Sequence, residues 1–130
     1  ADFNKAISLD AKSSAAFNNR GMAYMGKKDF PKAIADFTKA IELAPGDPDS
    51  YASRGSAYMA VKDDRKAMSD FNKAIELNPG HTIALFNRAL LHGVSGDKAK
   101  ARADFEAVLA VIPEHKLAKE HLALLAKSGG

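Results

Sequence analysis

Between residues 30 and 43, Ala33, Ile34, Phe37, Ala40 and Ile41 fall three and four positions apart, the spacing that lines one face of a helix. Upstream, Ala16, Phe17, Arg20, Gly21, Ala23 and Tyr24 keep the same step. The pattern predicts helices over Ser14 to Lys27 and Phe30 to Leu43. Ser13 and Ser14 offer hydroxyl acceptors for the first turn. Gly26, Lys27, Lys28 and Asp29 break the periodicity. Asp29 can cap the second helix, with Pro31 in the first turn, where a missing amide hydrogen costs nothing. Pro45 and Gly46 close that helix. Further helices follow near Pro48 to Val61, Asp64 to Leu77, Thr82 to Val94 and Lys98 to Val111. A last one over residues 115 to 127 places Leu117, Leu122, Leu124 and Leu125 among Lys116, Lys119, Glu120, His121 and Lys127.

The pattern copies itself every 34 residues. Phe17, Arg20, Gly21, Tyr24, Ala33, Phe37, Ala40 and Pro45 recur as Tyr51, Arg54, Gly55, Tyr58, Ala67, Phe71, Ala74 and Pro79, then as Leu85, Arg88, Ala89, His92, Ala101, Phe105, Val108 and Pro113. A period of about 34 carrying an aromatic, a Gly, a Tyr, an Ala, a Phe and a closing Pro resembles the tetratricopeptide repeat (TPR) family, one helix-turn-helix per repeat. The resemblance implies an all-α fold, a right-handed α-solenoid of antiparallel helix pairs forming one domain over 1–130. Its repeats would span 14–47, 48–81 and 82–115, with a capping helix at 116–130. Ala89 and His92 replace the Gly and Tyr of the earlier copies, so packing should differ there, with slightly wider helix separation. Residues 1–13, ADFNKAISLDAKS, match IADFTKAIELAPGD and read as the second helix of a truncated leading repeat. The chain is expected to be a piece of a longer protein.

Composition narrows the chemistry. The 130 residues carry 19 Lys and Arg against 16 Asp and Glu, interleaved along the chain, which argues against nucleic acid as a partner. No apolar run approaches the roughly 18 residues of a membrane span, so no membrane insertion is expected. With no cysteine there are no disulfides or thiolate sites. That leaves the compartment open, cytoplasmic or periplasmic. HExxH, GxSxG and glycine-rich phosphate loops are missing. The four histidines read as a loop residue (His81), a Tyr replacement (His92) and two surface positions (His115, His121), and the last two lack the spacing for two ligands on one helix face. No enzyme activity, metal or cofactor is predicted.

Arg20, Arg54 and Arg88 keep the 34-residue step, as do Asp2, Asp36, Asp70 and Asp104. A planar guanidinium suits a carboxylate on a neighbouring helix. Pairing with the preceding repeat is predicted: Arg20 with Asp2, Arg54 with Asp36, Arg88 with Asp70, and Asp104 unpaired.

By the TPR resemblance, the first helix of each repeat lines a concave groove that holds a protein or peptide partner. Its residues would be Asn18, Asn19, Met22 and Met25, then Asp49, Ala52, Ser53, Ser56 and Met59, then Ile83, Phe86, Asn87 and Leu90. Co-chaperone members of the family grip a terminal carboxylate with basic side chains. Here those sites hold Asn18, Met22, Ser53, Ile83 and Asn87, so that clamp is missing. Asn19, Ser53 and Asn87 resemble an interrupted asparagine ladder of the kind that holds peptide backbone in the TPR array of a protein glycosyltransferase. Met22, Met25 and Met59 would add an adaptable apolar strip. The expectation is a non-catalytic interaction scaffold for an extended peptide or partner helix, the alternative being a substrate-selecting arm of a larger enzyme such as a glycosyltransferase. The bare apolar ends further predict end-to-end self-association, the last helix of one copy on residues 2 to 9 of the next.

Overall fold

The structure, a computed structural model, describes residues 13–129. Those residues form seven helices and no strand: α1 (Ser14–Gly26), α2 (Phe30–Leu43), α3 (Pro48–Ala60), α4 (Asp64–Leu77), α5 (Thr82–Val94), α6 (Lys98–Val111) and α7 (Lys116–Gly129). The truncated leading helix and the docking site assigned to it lie outside the described residues.

Each repeat turns through the same device. The amide of Asp29 reaches back to the Tyr24 carbonyl (2.9 Å) and that of Lys28 to Met25 (3.0 Å), closing α1. Asp63 and Lys62 do this in the second repeat, Asp97 and Gly96 in the third. The closure needs a left-handed residue, and Lys28 (φ 62°), Lys62 (φ 68°) and Gly96 (φ 90°) supply it, which ends α1 and α3 one residue before the periodicity predicts. Asp29, Asp63 and Asp97 then cap the following helix, their carboxylates accepting from Lys32, Lys66 and Lys100 amides at 3.4, 3.3 and 3.1 Å. One residue therefore ends one helix and starts the next, and the two are held as an antiparallel pair.

Inside each pair a phenylalanine fills the contact. Phe37 and Phe71 have no exposed surface, and Ala33, Ala40, Ala67 and Ala74 beside them have none either. Gly21 and Gly55 face these rings so closely that a Cβ would sit 2.6 Å from Phe37 and 2.7 Å from Phe71. The third repeat carries Ala89 at this place, fully buried, so its ring or its helix must be displaced relative to the other two. Phe105 there sits edge-on to Phe86 and stacks on His121 of α7, 5.2 Å between centroids.

Pairs stack through α2 on α3, α4 on α5 and α6 on α7, with buried clusters that span the junctions: Phe71 and Ala74 of α4 share one with Ala84 and Leu91 of α5. The first helices of successive repeats also touch, α1 with α3 and α3 with α5, whereas no comparable contact joins α2 to α4 or α4 to α6. The α-solenoid therefore curves with first helices on its inner side.

The pairing of Arg54 and Arg88 corrects the expectation drawn from sequence, whereas Asp2, the expected partner of Arg20, lies outside the described residues. Arg20 binds Asp36, Arg54 binds Asp70 and Arg88 binds Asp104, each through Nε and Nη2 at 2.7–2.8 Å and all within one repeat. Asp104 is thus paired, not stranded. The antiparallel turn brings a residue 16 positions on directly opposite the arginine, where a two-pronged fork fits a carboxylate. Toward the preceding repeat the guanidinium meets the residue two beyond that repeat's aspartate: Arg54 Nη1 donates to Thr38 (3.2 Å) and Arg88 Nη1 to Asn72 (2.9 Å). The hydrogen bond to aspartate is the main cause holding each guanidinium pKa above its ordinary value, against burial, which lowers it.

Candidate functional site

On the inner side, Met22 and Met25 of α1, Asp49, Ala52, Ser53 and Ser56 of α3, and His81 and Ile83 at the start of α5 enclose an open cavity of about 150 Å³. Met22 (52 % exposed) and Ile83 (60 %) stand at its mouth. Residues predicted from three separate repeats are brought together here because α1, α3 and the head of α5 lie side by side.

His81 was missed as a site residue. It is buried, and it is the N-cap of α5: Nδ1 accepts the Ala84 amide hydrogen (3.3 Å). That bond leaves the proton on Nε2, which donates to Asp49 Oδ1 at 2.8 Å. Asp49 itself keeps 72 % of its side chain exposed and lines the cavity. The signal was present in the sequence, since Ser13, Asp47, His81 and His115 stand 34 apart at the cap preceding each first helix. His115 Nδ1 likewise accepts the Ala118 amide (3.1 Å). His115 and His121 are half-buried rather than surface positions, both packed on Phe86.

Other predicted residues divide by what they touch. Asn19 is exposed. Asn87 donates through Nδ2 to Ser56 Oγ (3.2 Å), and Ser56 donates to the Ala52 carbonyl (3.1 Å), so this amide also ties the third repeat to the second. Asn18 lies 3.5 Å from the Ser50 hydroxyl, which donates to its carbonyl oxygen. Met25 and Met59 are partly buried against core clusters. Phe86 bridges α5 to α7 between His115 and His121. Leu90 lines a different apolar cavity of about 270 Å³ among α5, α6 and α7, with Val94, Leu124 and Leu125. Among the described residues no group of three or more His, Asp or Glu could hold a metal ion, and no helix is long and apolar enough to cross a membrane.

A stack of helix pairs open along its inner surface defines an interaction solenoid in architecture. Tetratricopeptide repeat family models match residues 14–47 and 48–81, just over half of the chain. The chain belongs to the tetratricopeptide repeat family. None of the curated proteins matches the sequence. Among solved structures, the first TPR of Spaghetti (RPAP3) bound to the HSP90 peptide SRMEEVD is similar, at 27 % identity and TM-score 0.86, over 92 % of this chain and 94 % of that one. The second TPR domain of human RPAP3, in complex with the HSP70 peptide SGPTIEEVD, is 25 % identical with TM-score 0.78, over 85 % and 92 % of the two chains. MamA shares the fold at 22 % identity and TM-score 0.88, over 98 % of this chain and 75 % of that one.

Proposed function

We propose that this chain is a non-catalytic scaffold that holds an extended peptide of a partner protein along its inner groove. The observation that carries the reading is the cavity shared by Met22, Met25, Ser53, Ser56 and Ile83. Its roughly 150 Å³ is below the 300–1,000 Å³ typical of small-molecule sites and suits one inserted side chain. Asn19, Ser53 and Asn87 offer amide and hydroxyl groups that can both donate to and accept from a peptide backbone. Peptide-bound TPR domains of the same architecture support it further. The test is selection of random heptapeptides displayed on phage against the full chain, with Ile83→Asp as the control, since that side chain is largely exposed and its loss costs the fold little. Peptides should be recovered that bind the wild type and lose affinity at least tenfold for Ile83→Asp. Equal binding to both proteins would refute the groove as the site.

A further inference from the structure

Among the described residues, Asp49 is the one carboxylate on the wall of the groove cavity, and no Lys or Arg joins it there. Its neighbours are the apolar ends of Met22, Met25 and Ile83. A lone carboxylate beside apolar surface would ordinarily swing freely and gain little from an ion pair, because two mobile side chains must be ordered to form it. Here the ordering is already done on the protein side. His81 is buried, its ring is locked by the α5 cap, and its Nε2 hydrogen holds Asp49 Oδ1 at 2.8 Å. The tautomer matters: because Nδ1 is occupied as an acceptor, His81 can only donate toward Asp49. The carboxylate is thereby oriented, and it keeps 72 % of its side chain exposed on the cavity wall.

We infer that the groove selects a peptide segment in which a large apolar side chain sits next to a lysine or arginine, the apolar group entering between Met22, Met25 and Ile83 and the cation meeting Asp49. This rests on the groove reading above and names the chemistry of its occupant. The same arrangement disfavours acidic peptides such as the SRMEEVD held by the first TPR of Spaghetti, because a peptide carboxylate would meet Asp49 with like charge and find no Lys or Arg among the described residues of the cavity wall. His81 acts as a positioning residue.

The probe is the displayed heptapeptide library, read by sequencing after selection on the full chain, followed by the strongest peptide in synthetic, fluorescent form. Lys or Arg should be enriched beside Leu, Ile, Met or Phe. Replacing that basic residue by Gln, or Asp49 by Asn, should weaken binding about two- to five-fold, the scale of one exposed ion pair. Added salt should weaken the wild-type complex and leave the Asp49→Asn complex nearly unchanged. Asp49→Asn keeps an oxygen for the His81 hydrogen, so the melting temperature should hold. A peptide whose cation is its own terminal amine would lose affinity on acetylation, and that result would overturn the side-chain assignment. Groove-bound peptides without basic enrichment, unchanged affinity for Asp49→Asn, or SRMEEVD binding as tightly as the selected peptide would overturn the charge reading alone. Peptides indifferent to Ile83→Asp would instead overturn the groove itself.

Discussion

Replacing Arg54 with Met removes both hydrogen bonds that Asp70 receives, each 2.8 Å, and leaves a carboxylate with 6 % of its side chain exposed. Cutting one partner from a fully enclosed ion pair costs about 3–5 kcal/mol, because the remaining charge is stranded. The Arg54 side chain keeps 20 % exposure, so water can reach the edge of the site and the expected loss is about 2–3 kcal/mol. A double-mutant cycle separates this from the lost packing of the long side chain. Urea unfolding followed by circular dichroism on wild type, Arg54→Met, Asp70→Leu and the double variant should return a coupling of about 1–2 kcal/mol. The parallel cycle with Asp36→Leu should be additive within about 0.5 kcal/mol, since Asp36 is held by Arg20 instead. Stronger coupling of Arg54 to Asp36 than to Asp70 would refute the within-repeat pairing. The pH dependence follows from the raised guanidinium pKa. A folded-state value above the unfolded one gives stability that is complete below the unfolded pKa and lost only as pH rises through the folded one. For arginine that window lies far above neutrality, so the guanidinium contributes no pH dependence to the coupling between pH 6 and 9.

Three further outcomes are expected. Gly55→Leu should destabilise by about 1–3 kcal/mol in urea, because even its Cβ would fall 2.7 Å from Phe71; undiminished stability would mean that the ring yields freely. Lys62→Gly should stabilise by ~1 kcal/mol, as it relieves a left-handed residue at the position where the third repeat already has Gly96, and a loss of stability would contradict that account. His81→Ala should cost about 1 kcal/mol through the lost α5 cap, and His81→Asn, which can still accept the Ala84 amide, should recover most of it; failure of the rescue would place the role of His81 elsewhere.

Helix positions, the turns and the repeat itself were legible in sequence because each depends on neighbours three or four residues away, and a 34-residue step shows the same local solution reached three times. The buried faces follow for the same reason: Ala33, Phe37 and Ala40 face the partner helix wherever the period places them. Left-handed Lys28 and Lys62 were not legible, because lysine carries no local preference for that region and the closure of the pair imposes it. Periodicity also could not choose between the two aspartates available to each arginine. Both series keep the same step, and only the antiparallel packing of α1 on α2, and its copies, decides that the residue 16 positions on is the one within reach. The groove shows the same division. Sequence places Asp49 and Ile83 on first helices, but His81 becomes part of their cavity only when α3 and α5 lie side by side and its ring, held as a helix cap, turns its other nitrogen to Asp49.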